Sequence, residues 1–227
     1  MKKLKSICVI MALACMTTAW AQRDITFDRE LSVGVKGGVT IPNMAFSPSI
    51  QQNTWVGYTT GLTFRYIEEN IFGLIAELNF TQRGWDEKFE KDPYHYRHTL
   101  DYIEIPFLAH IYFGSDVVRG FVNIGPQIGI LYHDNAKADF DINNLPTFNG
   151  ENRINEVYTL PIANRFDYGI TGGVGVELRL KRHIILLEGR YYFGLGDIYG
   201  NRKADIFSGS SANRGFMINL AYMFRIW

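Results

Sequence analysis

Phe216 to Trp227 alternate, and no other stretch restricts the fold of this chain as much. Phe216, Ile218, Leu220, Tyr222, Phe224 and Ile226 fall on one line, and Met217, Asn219, Ala221, Met223 and Arg225 on the other. A period of two over a dozen residues makes a strand with one strongly apolar face.

Seven earlier segments repeat the pattern. In Leu31 to Ile41 the apolar line is Leu31, Val33, Val35, Val39 and Ile41, opposite Ser32, Gly34, Lys36, Gly38 and Thr40. Val56 to Tyr66 sets Val56, Tyr58, Leu62, Phe64 and Tyr66 against Gly57, Thr59, Gly61, Thr63 and Arg65. Phe72 to Arg83, Tyr102 to Phe113, Phe121 to Tyr132, Phe166 to Leu180 and Ile184 to Leu195 read the same way. The connections alternate in length. Those at Ile67 to Asn70, Gly114 to Arg119 and Lys181 to His183 are short. Those at Pro42 to Trp55, Gly84 to Asp101, His133 to Arg165 and Gly196 to Arg214 are long.

Eight such strands predict an all-β, antiparallel up-and-down barrel, and room decides what surrounds it. The apolar lines sum to roughly forty large side chains, whereas an eight-stranded barrel is only just wide enough to be filled by side chains. They must face outward, toward lipid. The opposite lines carry Gly, Thr, Asn and charge, which suits a narrow polar lumen. Glycine (22 residues) and aromatics (15%) are abundant, as twisted strands with aromatic belts require. Outer-membrane barrels have short periplasmic turns and long external loops, so both termini are expected on the periplasmic side. A last strand rich in aromatics fits, although Trp227 falls on the inward line. Pro106 and Pro126 interrupt strand patterns, where a ladder donor is lost and a bulge is one way to accommodate it.

The chain opens with a predicted signal peptide over residues 1–21. Lys2, Lys3 and Lys5 precede an apolar core from Ile7 to Met16, and Ala19-Trp20-Ala21 is a small-x-small cleavage site. Lipoprotein processing at Cys15 is the alternative. Residues 22–30 then form a periplasmic lead and residues 31–227 the barrel. Cleavage removes Cys8 and Cys15, leaving no disulfide and no thiolate chemistry. Basic and acidic residues balance at 23 each, which gives no field for nucleic acid. No later run of about 18 apolar residues offers a helical span.

The inward lines collect Lys36, Arg65, Glu77, Glu104, His110, Glu177, Arg179, Glu188 and Arg190, with Arg225 near the end. In a narrow lumen these charges must pair, because an isolated buried charge is costly. A salt-bridged plug follows from them. A proton or small-ion path is the functional alternative, while a wide pore does not fit eight strands. Trp55, Trp85, Tyr102, Tyr132 and Tyr199 stand near strand ends and read as interface-belt aromatics. His95 and His98 are spaced for metal but lack a third ligand. His133-Asp134 lacks a nearby serine motif, and Gly173-Val174-Gly175 has no helix after it. No catalytic residue, cofactor or metal site is therefore expected. Tyr94, Tyr96, Phe140, Phe148 and Tyr158 in the long loops either anchor a partner or pack a loop over the barrel mouth.

Val33-Gly34-Val35-Lys36-Gly37-Gly38-Val39, Tyr102-Ile103-Glu104-Ile105-Pro106-Phe107-Leu108 and Gly125-Pro126-Gln127-Ile128-Gly129 resemble the PorT-like outer-membrane barrel proteins of Bacteroidetes. So do Asp167-Tyr168-Gly169-Ile170-Thr171-Gly172-Gly173 and Leu187-Glu188-Gly189-Arg190-Tyr191. The resemblance implies an eight-stranded barrel in the outer membrane and makes Pro106 a family feature. It implies no catalytic residues. The family's namesake is linked to type IX protein secretion. The expected function is a non-enzymatic structural or assembly component in contact with outer-membrane lipid, with protein partners met through the long loops. An outer-membrane enzyme acting on lipid or peptide, and a small pore, are the alternatives.

Overall fold

The computed structural model describes residues 29–149, 154–200, 202 and 205–227. The predicted signal peptide, both cysteines and nearly all of the predicted lead lie outside them. The strands are β1 (Glu30–Ser47), β2 (Gln52–Asn53), β3 (Gly57–Glu69), β4 (Phe72–Glu87), β5 (Tyr96–Gly114), β6 (Val118–Ala138), β7 (Phe166–Leu180), β8 (His183–Asp197) and β9 (Ser210–Arg225). One short 3-10 turn, Asn155–Tyr158, lies between β6 and β7.

Eight of these strands close an antiparallel up-and-down ring in which each pairs with its sequence neighbour and β9 returns to β1. The closing ladder runs from Ser32↔Arg225 to Ser47↔Ser210, against the strand expected from the sequence. Closure leaves no open edge, which is the condition for a sheet in lipid. The ninth strand, β2, is a stub that extends β4 at Asp86 and Glu87. The start of β1 and the end of β9 lie at the same end of the ring as the short β3–β4, β5–β6 and β7–β8 turns. Lys181 takes a left-handed conformation (φ 59°) in the two-residue β7–β8 turn.

The outward lines are those read from the sequence. Val35, Leu62, Leu78, Phe107, Ile128, Val176, Leu187 and Leu220 are all exposed on the wall, while Thr63, Glu77, His110, Asn123, Thr171 and Asn219 are buried behind it. Glycine makes room in the lumen at the closest approaches. A Cβ on Gly61 would lie 2.2 Å from Asn79 Oδ1, and one on Gly38 would lie 2.6 Å from Asn219 Oδ1.

The strands run further toward the long loops than expected. β1 continues to Ser47, β4 to Glu87 and β6 to Ala138, β5 begins at Tyr96, and β9 begins at Ser210. The reason is a reversal of phase. In this extension Met44, Phe46, Trp85, Tyr96 and Leu100 point inward and are buried, while Arg97, Thr99 and Asp101 take the outward line of β5. Apolar-in and polar-out is the pattern of a barrel in water. A search for lipid-facing lines stops where lipid stops.

Both prolines mark gaps in the ladder. Pairing of β4 with β5 lapses between Ala76↔Phe107 and Asn79↔Glu104, and that of β5 with β6 between Pro106↔Gln127 and Ala109↔Ile124. Proline has no N–H to give. An outer-wall groove of about 530 Å³ lies over this spot, lined by Ala76, Phe107, Ala109, Ile124 and Pro126 among others.

Candidate functional site

The interior is built in tiers along the axis. At the short-turn end Ile67, Tyr112, Phe121, Ile184, Leu186 and Met223 form a small buried apolar cluster. The Arg119 guanidinium lies 4.5 Å over the Tyr112 ring. Level with it Arg65 donates to Glu177 and, at 2.9 Å, to Glu30. Arg179 donates to Glu30 and to Glu177 at 3.4 Å. Arg225, partly exposed, reaches within 3.9 Å of Glu30.

The middle tier centres on Glu77. It accepts from Lys36 Nζ at 2.6 Å, from Asn79 at 2.9 Å, and from both terminal nitrogens of Arg190 at 2.7 and 3.0 Å. Arg190 also donates to Glu188 at 2.7 Å. Asn123 donates to the other Glu188 oxygen at 2.7 Å, and its own oxygen lies 2.7 Å from His110 Nδ1. A cavity of about 20 Å³ remains between Lys36, Glu77, Glu188, Arg190 and Asn219, room for about one water.

In the upper tier Arg83 donates to Glu104 and stacks 4.0 Å over the Tyr192 ring. Asn213 donates to Asp167 at 2.9 Å and to Tyr102 at 3.1 Å. Lys36, Arg65, Arg83, Arg179 and Arg190 thus meet Glu30, Glu77, Glu104, Glu177 and Glu188, five cations to five carboxylates. Among the described residues these ten charges balance and are tightly bonded, Asp167 beside them is held by Asn213, and no channel-lining ring of one sign forms. All nine inward residues named from the sequence lie here. Glu30 and Arg83 were missed. Glu30 had been assigned to the lead, yet the parity of Ser32, Gly34 and Lys36 reaches back to it. Arg83 continues the line of Glu77, Asn79 and Thr81.

Over the plug sits an aromatic cap. Trp85 packs edge-on to Phe46 at 5.1 Å, and Tyr199 stacks on Phe207 at 5.3 Å. Tyr158, from the short 3-10 turn, meets Tyr96 at 4.8 Å and Phe140 at 5.2 Å. Phe89, Tyr94, Phe140 and Phe148 form a second aromatic group across two loops. Asn149 clasps Asp92 between the same loops at 2.7 Å. The loop aromatics named from the sequence pack together over the mouth.

Four of the five expected belt residues are therefore corrected. Trp85, Tyr102 and Tyr199 are essentially fully buried in the cap, and Trp55 is buried beneath Arg97, whose guanidinium is 5.3 Å from its ring. Trp85 and Tyr102 lie on the inward lines of β4 and β5, and Trp55 and Tyr199 lie in the connections before β3 and after β8. Tyr132 does face outward, at 5.8 Å from Phe80, which in turn stacks on Tyr58 at 5.7 Å. Phe166 and Tyr168 stack at 6.2 Å on the same outward face. These belt members are told by parity, not by nearness to a strand end.

The histidines are not brought together. His95 lies 3.0 Å from Asp86, His98 lies 3.4 Å from Asp134, and His133 lies 3.2 Å from Asp101 on the outward face. Burial against Trp85 pushes the His98 pKa below its usual value, although Asp134 pulls the other way. Among the described residues no three His, Cys, Asp or Glu side chains converge as a metal site. No described helix is long and apolar enough to cross a membrane, which says nothing of strands.

The ring resembles solved outer-membrane barrels. OprG of Pseudomonas aeruginosa superposes with a TM-score of 0.51 at 12% identity, covering 87% of this chain and 95% of that one. The Neisserial surface protein NspA (TM-score 0.47, 10% identity, 87% and 99% covered) and the attachment invasion locus protein Ail of Yersinia pestis (0.41, 12%, 87% and 99%) also match. At such identities the likeness is one of fold. No curated protein matches the sequence. The family model described as outer membrane protein beta-barrel domain matches residues 20–200, and the chain, an eight-stranded barrel of the outer membrane in contact with its lipid, belongs to that family.

Proposed function

We propose that this protein is a sealed, non-enzymatic outer-membrane scaffold whose termini and short turns stand in the periplasm and whose capped long loops stand outside. The observation that carries this reading is double occlusion. The lumen is filled by an ion-pair plug, and its mouth is covered by aromatic packing. A barrel closed twice has surfaces to offer, not a passage. The partners are outer-membrane lipid around the wall and proteins met by the loops. The PorT-like motifs support a structural or assembly role, and more narrowly an accessory role in type IX secretion.

Single-channel recording in planar bilayers tests the sealed state: the wild-type barrel gives no unitary current, and steady conductance refutes it. For the narrower role, deletion of the gene should lower secretion of type IX cargo, and unchanged secretion removes that role while leaving the sealed scaffold standing.

A further inference from the structure

Arg214 is a cation on the outer wall that no carboxylate holds among the described residues. It lies on the outward line of β9, one step beyond Phe216, and every later outward residue of that strand is apolar or aromatic. Its cross-strand partners are Asn43 of β1 and Phe193 of β8. The guanidinium carbon lies 4.5 Å over the Phe193 ring. Among the described residues it takes part in no ion pair, and its Nε is shielded from solvent without a hydrogen-bond partner. The contrast is Arg97, on the outward line of β5 at the same end, which donates to Asp86 at 2.8 Å. An unpaired cation, part-desolvated, at the boundary between an apolar band and water is costly unless an anion meets it there.

Next to Arg214 along β9, Gly215 and Phe216 join Ile41, Asn43, Asn53 and Tyr191 in lining a groove of about 380 Å³. Ile41, Tyr191 and Phe216 continue the outward apolar lines, and Asn43 and Arg214 lie one step beyond them toward the long loops. A molecule that fits both has an apolar tail and an anionic head. The planar guanidinium, held over a ring, suits bidentate bonding to a phosphate better than a lysine would.

We infer that Arg214, with Asn43 and Phe193, forms a headgroup site for a phosphate-bearing lipid in the leaflet on the long-loop side. One phosphate oxygen pair accepts from the guanidinium, Asn43 supplies an amide, and an acyl chain lies along Ile41 and Phe216. A soluble anion would lack the tail contacts and bind weakly.

The test is native mass spectrometry of the full chain in neutral detergent, titrated with dioleoyl phosphatidic acid and with dioleoylglycerol, which differ only in the phosphate. The wild type should retain phosphatidic acid at least about tenfold more tightly than Arg214→Ala, the size expected for one charge-assisted contact. Arg214→Lys should fall between them, and dioleoylglycerol should bind both proteins equally weakly. Equal retention of phosphatidic acid by wild type and Arg214→Ala overturns the site. So does equal binding of the two lipids, or displacement by inorganic phosphate at matched concentration. A heat-modifiable gel shift confirms that each variant is folded, and Arg214→Gln replaces the alanine variant if that one is not.

Discussion

Replacing Glu77 by glutamine should destabilise the barrel more than any single change at its surface. Among the described residues Glu77 is the only carboxylate that holds both Lys36 and Arg190, through contacts of 2.6, 2.7 and 3.0 Å, and its side chain is only 4% exposed. The middle tier of Lys36, Arg190, Glu77 and Glu188 has no net charge, and the substitution leaves it with one uncompensated buried cation. Breaking a buried pair from one side costs about 3–5 kcal/mol, or a hundredfold and more in the folding equilibrium. The double variant Lys36→Met/Glu77→Gln removes the stranded charge and should recover most of that loss. Reversible urea unfolding in lipid vesicles, followed by tryptophan fluorescence and gel mobility, measures both. A loss within about 0.5 kcal/mol of zero for the single variant would refute the reasoning, because it would mean that the plug is solvated like a surface ion pair. A double variant no better than the single would refute it as well.

Trp85→Ala should open the cap and leave the membrane band intact. Removing a fully buried tryptophan costs about 3–5 kcal/mol, and here the loss should appear as faster amide exchange in residues 154–165 and 205–209 with unchanged protection near Leu187 and Leu220. Uniform loss across the barrel would count against a separate cap. Gly61→Val should lower the folded fraction on gels, since its Cβ would meet Asn79 Oδ1 at 2.2 Å and the Leu78 carbonyl oxygen at 2.4 Å, and overpacking costs about 1–3 kcal/mol. A wild-type folding yield would show that the lumen is wider than described. The cap should also loosen in acid. His98 has a lowered pKa, so the open cap binds a proton near pH 6.5 while the closed cap resists it. Stability is then full above about pH 7 and declines as pH falls below about 6.5. Protease nicking of the loops at pH 7.5 and pH 5 should reveal this, and His98→Gln should flatten the difference.

The sequence was most legible where lipid imposes a single rule. Outward apolar lines such as Phe216 to Ile226 follow directly from a period of two, and the inward charges followed from parity alone. Parity also contained Glu30 and Arg83, which were passed over because one sat before the first apolar residue and the other after the last. Parity also places Trp85 with Arg83 and Tyr102 with Glu104 on the inward lines, against the reading that nearness to a strand end suggests. Tyr199 lies past the end of β8, where no strand pattern reaches it. Nor could single strands reveal pairing. That Arg190 meets Glu77 from across the lumen depends on the curvature of the whole ring, which no local pattern encodes.

The ion-pair plug has a consequence for how the staves align. Sliding one strand past its neighbour by two residues keeps every apolar group toward lipid and every polar group inside, so alternation does not forbid the slip. The side-chain partnerships do. A two-residue slip of β5 would separate Glu104 from Arg83 and Tyr102 from Asn213 together, and a slip of β1 would draw Lys36 away from Glu77. The plug and the cap thus work as a key cut along the axis, by which one alignment of eight otherwise interchangeable strands is told from its near copies.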